Sequence, residues 1–256
     1  MNPALYDSHI HLTDTEYDNF LPSILVTLKG MGIKACSVAV NTSTSLKALR
    51  LFGEKDVRNT VYNFLGIHPQ YADENISQFE EMVGSNIHNI DGIGEIGLDP
   101  TYYNQAKNTK VLQDQVFTKM LTIAETYDKP ISLHSRQSLD EILNVLSTYN
   151  LKKACLHWFD GSPQQLEKSL DMGLYVSFGP SLVYSKKKQG LLKLTDQGKL
   201  LIETDGPVRY PSCFKNVITL PTSVLMSVVR SMSEVLCLSP KNVAEKVERN
   251  SILFFH

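Results

Sequence analysis

Cysteine is scarce and scattered in this 256-residue chain. Cys36, Cys155, Cys213 and Cys237 form no Cys-x-x-Cys pair, so no thiolate metal knuckle or dithiol redox motif is on offer. Cys36 and Cys155 lie inside apolar, strand-like runs and read as reduced core thiols. Long apolar runs are missing, and the opening residues have neither a basic nor an apolar leader region. Secretion and membrane insertion therefore lack support, and a cytoplasmic location is expected. An excess of charge is missing too: the formal net charge of −2 gives no global attraction to a polyanion, although it leaves room for a local basic rim. No repeat, low-complexity tract or Gly/Ser linker marks a boundary, so residues 1–256 are expected to form one domain, with a monomer as the default.

Against these absences stands a regular alternation. Short runs rich in Val, Ile, Leu and Tyr occupy residues 5–12, 35–40, 61–67, 92–96, 131–134, 154–158, 174–178 and 200–204. Between them apolar residues recur at helical spacing, as in Leu21, Ile24, Leu25 and Leu28, or Phe117, Met120, Leu121 and Ala124. The pattern predicts a helix over 224–236 and a last one over about 240–254, with Ser239 as N-cap and Pro240 in its first position. Eight strands in βα alternation predict an α/β fold, a closed (β/α)8 TIM barrel rather than an open doubly wound sheet.

The chain has seven histidines, and five of them, His9, His11, His68, His134 and His157, fall where predicted strands end. Glu95 and Asp205 fall at two further strand ends. Strand C-termini form the active face of this barrel, so these residues are expected to converge on one mouth. His9 and His11 alternate on a strand and project to the same side. With Asp205 they would hold one divalent ion, His134 and His157 a second, and Glu95 could bridge both with its two oxygens. The expectation is therefore two divalent metal ions per chain, and an imidazole and carboxylate donor set is compatible with Zn2+, Mn2+ or Mg2+.

Paired ions clamp both the attacking and the leaving oxygen of a phosphate ester, which makes phosphodiester hydrolysis the reaction that uses the whole set. Glu95 and Asp205 are the expected catalytic carboxylates, Asp205 holding or deprotonating the water, and His68 is expected to touch a phosphate oxygen or the leaving group. Asp7 and Glu203 lie one step deeper on the same strand faces, where a carboxylate can accept the other N–H of a metal-bound imidazole. A barrel-core acid paired elsewhere is the other reading of Glu203. At the rim, Arg136, Tyr102 and Tyr103 are candidate substrate contacts, a guanidinium for phosphates and rings for unpaired bases. Trp158, Tyr184, Arg209 and Tyr210 fall on the same rim, whereas the run from Lys186 to Lys188 reads as a solvated helix start.

Taken in order, Asp-Ser-His-Ile-His11, Gly-Ile-His68-Pro, Gly-Glu95-Ile-Gly-Leu-Asp, Leu-His134-Ser-Arg, His157-Trp-Phe-Asp-Gly and Glu-Thr-Asp205-Gly-Pro resemble the successive motifs of the TatD family of metal-dependent deoxyribonucleases. The resemblance runs from Asp7 to the closing Asn-Ser-Ile-Leu-Phe254. It implies an amidohydrolase-like TIM barrel that binds divalent metal and hydrolyses DNA phosphodiester bonds, often from the end of a single strand. The ligands it implies are His9, His11, Glu95, His134, His157 and Asp205. Two departures alter the rim: Pro100-Thr-Tyr-Tyr-Asn104 follows Gly-Leu-Asp in place of an aromatic pair and a basic residue, and Gly206 stands where the family usually has Ala.

The same metal core could instead hydrolyse an amide, lactone or aminoacyl ester, since fold does not dictate substrate. Many such barrels bridge their metals with a modified lysine, and no lysine occupies a ligand-like strand end here, so Glu95 favours the nuclease. A binding scaffold with a relic barrel would be marked by loss of a ligand, and none is lost.

Overall fold

The computed structural model describes residues 3–53, 55–104, 107–215 and 218–256. Every predicted apolar run becomes a strand: β1 (Tyr6–Ile10), β2 (Lys34–Val38), β3 (Val61–Leu65), β4 (Gly92–Leu98), β5 (Ile131–Ser135), β6 (Ala154–Leu156), β7 (Tyr175–Phe178) and β8 (Leu200–Ile202). Each pairs in parallel with the next in sequence order. The ring is drawn together where the chain leaves β8: Asp205 N–H donates to the His9 carbonyl at 2.9 Å and His11 N–H to the Gly206 carbonyl at 2.8 Å. The result is the nearly closed, single-domain (β/α)8 barrel that the alternation predicts. No single helix among the described residues is long and apolar enough to cross a membrane.

Several helices open on side-chain caps. Asn41 and Ser162 open capping boxes with Thr44 and Gln165. The last helix, Pro240–Phe255, starts on Ser239, whose hydroxyl accepts from Asn242 N–H at 3.1 Å. The helix before it runs Pro221–Leu236 and buries Leu225, Val228, Val229 and Met232. β6 and β8 end sooner than their apolar runs, so His157 and Asp205 sit on the loops just past them.

Inside the barrel the two ends differ. The lower end is apolar: Tyr6, Cys36, Tyr62, Phe64, Cys155, Tyr175 and Leu201 pack together and are closed from below by Phe254 and Phe255 of the last helix. Phe255 stacks on Tyr62 with ring centroids 4.2 Å apart, and Phe254 meets Tyr175 edge-on at 5.2 Å. Cys36 and Cys155 are thus buried thiols, Cys237 is an exposed one, and the Cys213 side chain lies outside the described residues. Because Phe254 is fully buried against rings that cannot collapse into its place, Phe254→Ala is expected to cost about 3–5 kcal/mol of stability. Denaturant unfolding checks this, and a loss under about 1 kcal/mol would show that the helix does not plug the barrel.

The upper interior is polar. Asp7 ties β1 to the exit of β8, accepting from Thr204 N–H at 2.9 Å and Thr204 Oγ1 at 2.6 Å. Burial pushes the Asp7 carboxyl up to about 8, with the Thr204 hydrogen bonds pulling the other way.

Candidate metal centre

Glu95 stands in the middle of β4, where two glycines admit neighbouring backbone. A Cβ on Gly66 would lie 2.6 Å from the Glu95 carbonyl oxygen, and one on Gly97, whose φ is +155°, would lie 1.9 Å from the His134 carbonyl oxygen. So placed, the Glu95 carboxylate is ringed by imidazoles. Oε1 accepts from His134 Nδ1 and His157 Nε2, both at 2.9 Å, with His68 Nε2 at 3.6 Å. Oε2 lies 3.5 Å from His9 Nε2 and 3.6 Å from His11 Nε2. Asp205, held at a positive φ of 51°, puts Oδ1 3.7 Å from His9 Nε2 and 3.4 Å from His11 Nε2.

The far nitrogens are served separately, which aims the near ones inward. His11 Nδ1 donates to the Val38 carbonyl at 2.9 Å, His9 Nδ1 pairs with Ser132 Oγ at 2.8 Å, and His68 Nδ1 accepts from Gln70 N–H at 3.1 Å. The Nε2 atoms of His9 and His11 then face each other at 3.4 Å. Three groups offer ligand atoms within 4.8 Å of one another: His9, His11 and Asp205; His9, Glu95 and His157; and His68, Glu95 and His134. Glu95 belongs to two of them, and His68, read from sequence as a leaving-group contact, stands among the potential ligands.

The electrostatics call for positive charge. Among the described residues no lysine or arginine lies within 4.0 Å of Glu95 or Asp205. Burial would raise both carboxyls, yet the histidines outweigh it. The charge on His157 and the hydrogen bonds from His134 and His157 hold Glu95 well below the usual range, and the His11 hydrogen bond lowers Asp205. Burial would likewise lower His11 and His134, but bonds to Asp205 and to Asp99 and Glu95 carry each up to about 9. His9 and His68 go the other way, burial taking them down to about 4 and about 3. Two buried anions among imidazoles that cannot all be protonated fit divalent cations as the missing charge.

The deeper carboxylates do less for the histidines than their spacing suggests. Asp7 bonds Thr204 and the His9 backbone, not a ring, because Ser132 and Val38 already occupy the outer nitrogens of His9 and His11. Glu203 accepts from Trp158 N–H at 2.7 Å and from Ser177 Oγ at 2.5 Å. It stands 4.0 Å from His157 Nδ1, beyond hydrogen-bond reach, and that buried nitrogen has no hydrogen-bond partner among the described residues.

The carboxylate that does grip a ring is Asp99, which sequence reasoning passed over. Fully buried, it takes His134 Nε2 at 2.9 Å on one oxygen and Thr101 N–H at 2.9 Å on the other. Gln113 fixes its backbone from both sides. Its place in Gly-Leu-Asp, two residues ahead of a threonine whose N–H and hydroxyl can donate to it, was the available signal. Asp99→Asn keeps the shape and loses the charge-assisted bond, so metal affinity is expected to fall about 10- to 100-fold. Competition against a chromophoric chelator measures this; unchanged affinity would remove Asp99 from the site.

The rim is less uniform than its sequence implies. Two hollows share His134, His157 and Asp205: a cleft of about 940 Å3, which Arg136 and Trp158 also line, and a pocket of about 290 Å3 that includes His11, His68, Glu95 and Tyr102. Tyr102 meets His68 edge-on at 5.6 Å, while the more exposed Tyr103 lines neither hollow. Arg209 is taken up by Glu16. Lys186 and Lys187 are exposed, as a solvated helix start requires, but Lys188 is buried.

A sequence model described as "TatD related DNase" matches residues 6–256. The chain is 26% identical over 260 residues to an uncharacterized metal-dependent hydrolase of Bacillus subtilis, YabD, covering 98% of each. It is 26% identical over 264 residues to the human deoxyribonuclease TATDN3, covering 98% of this chain and 94% of that one. Its fold superposes on the crystal structure of a TatD homologue from Escherichia coli, YJJV, with a TM-score of 0.87 at 22% identity, over 98% of this chain and 97% of the other.

Proposed function

The chain belongs to the TatD family of metal-dependent hydrolases, and we propose that within it this protein is a deoxyribonuclease that hydrolyses phosphodiester bonds of single-stranded DNA from an end. One observation carries the reading: two buried carboxylates and five imidazoles converge on one mouth, with no lysine or arginine among the described residues to satisfy them. His9, His11 and Asp205 would hold one divalent ion, and Glu95 with His134 and His157 a second. Bound there, such ions supply Lewis acidity toward a phosphoryl oxygen and lower the pKa of water.

The chain's own residues do the rest. Asp205 is ionised at neutral pH and accepts the hydrogen bond of the attacking water at a carboxylate oxygen; its depressed pKa suits it to orienting that water more than to keeping the proton. His68 is kept neutral by burial, and because Nδ1 accepts from Gln70, Nε2 carries the proton. It is a neutral donor to the leaving oxygen. Arg136, exposed at the edge of the larger cleft, is placed to meet a phosphate.

End-labelled single-stranded DNA, incubated with and without chelator and then with Mg2+, Mn2+ or Zn2+ restored, tests the reading. A chelator-sensitive ladder shortening from one end is expected. Intact DNA under every metal, from protein carrying its ions, would sink the nuclease and direct attention to amide, lactone and ester substrates.

A further inference from the structure

Trp158 is the single tryptophan of the chain and follows His157 directly, yet nothing in the metal chemistry requires it. Its backbone is held at a φ of +47°, a conformation that is strained for a bulky residue and persists only where the surroundings impose it. Those surroundings are specific. Trp158 N–H donates to Glu203 Oε1 at 2.7 Å, and its carbonyl accepts from Lys188 Nζ at 3.1 Å. The indole stacks on Tyr210, centroids 5.5 Å apart and planes 12° from parallel, and Tyr210 is itself pinned by its hydroxyl to the Thr204 carbonyl at 2.7 Å.

Lys188 spends its whole ammonium on this one segment. Besides Trp158 it donates to the Phe159 carbonyl, lies 3.3 Å from Asp160 Oδ1, and sits 5.9 Å from the indole centroid. Burying an ammonium is costly unless all its donors are met, so a buried lysine committed to three consecutive residues is a clamp on their position. What it positions is an aromatic wall of the larger cleft, beside His134, His157 and Asp205.

The charge on that side suits a nucleoside better than a run of phosphates. Glu141 and Asp160 line the cleft but are ion-paired with Lys110 and with Lys187 and Lys188, which leaves Arg136 and Asp140 as its remaining charges outside the metal centre. Tyr102 stands in the other hollow, beside His68. We infer that Trp158 is a specificity-determining residue that packs against the nucleobase next to the scissile phosphate, and that Lys188 is the positioning residue that holds it there. The inference rests on the DNA reading above.

The lone indole is also its own reporter. Metal-loaded full-length protein is titrated with a phosphorothioate-linked thymidine tetranucleotide, which resists hydrolysis. Trp158 emission and the anisotropy of a dye on the oligonucleotide are read together. Saturable quenching of Trp158 that tracks the anisotropy is expected, with binding weakened about 10- to 100-fold in Trp158→Ala. An oligonucleotide with an abasic terminal nucleotide should bind the natural protein correspondingly worse and Trp158→Ala no worse, a coupling that a merely structural role would not produce. Lys188→Met, an apolar replacement of similar length, should keep its metal content and weaken binding about 10-fold; full affinity there would overturn the clamp. Anisotropy showing tight binding with unmoved Trp158 emission, and no loss in Trp158→Ala, would overturn the base contact while leaving the nuclease intact. No binding by either signal would overturn the DNA reading and this inference with it.

Discussion

Glu95→Gln is expected to lower the proposed phosphodiester hydrolysis by a factor on the order of 10³ or more while leaving the fold intact. The amide has the size of the carboxylate, so the barrel wall between Gly66 and Gly97 is not disturbed. What disappears is the negative charge toward which five imidazole nitrogens point at 2.9–3.6 Å. An amide nitrogen in place of Oε1 would also confront His134 and His157 as a donor. Metal content should fall together with activity, read by elemental analysis of the purified variant, with circular dichroism and thermal unfolding as controls. A variant that keeps its metal and more than about a tenth of its turnover would place the chemistry elsewhere.

Asp205→Asn comes next in size, at about 10²- to 10⁴-fold in turnover. Asn tolerates the positive φ at this position, so the substitution isolates the charge. It also makes a titration prediction. In the metal-free protein the hydrogen bond and charge of Asp205 help hold His11 at about 9 against the opposing pull of burial. A histidine raised in this way adds stability at low pH that is lost as pH rises through its folded pKa. Metal-free natural protein should therefore lose stability as pH climbs through about 9, where both His11 and His134 titrate. In Asp205→Asn the His11 share of that loss should move to lower pH. Imidazole resonances followed by NMR check the shift, and a His11 that still titrates near 9 would show that Asp205 does not control it.

Much of this site was legible because a parallel barrel converts sequence position into space. A residue at the end of an apolar run must reach one mouth, so His9, His11, Glu95, His134, His157 and Asp205 could be grouped before any coordinate was known. Loops and cross-barrel partners were less readable. His68 stands three residues beyond β3, where strand geometry no longer sets direction, and it is brought to Glu95 by its backbone bond to the Val40 carbonyl and its turn with Gln70. Asp7 and Glu203 lie on the expected faces, but which donor reaches a buried carboxylate depends on neighbours far along the chain, Thr204 for one and Trp158 and Ser177 for the other. Lys188 looked solvated because a charge run at a helix start usually is; its burial follows from the Trp158 loop folding over it. The apolar lower plug went unread because Phe254 and Phe255 continue an amphipathic helix in sequence and reveal their role only when the barrel closes above them.

Crystals soaked in Mn2+ or Zn2+ and measured for anomalous scattering test the central claim most directly. The account predicts a peak among His9, His11 and Asp205 and another in contact with Glu95 and the His134 and His157 side. Clear density for these side chains with no anomalous peak beside Glu95, in protein that hydrolyses its substrate, would contradict it.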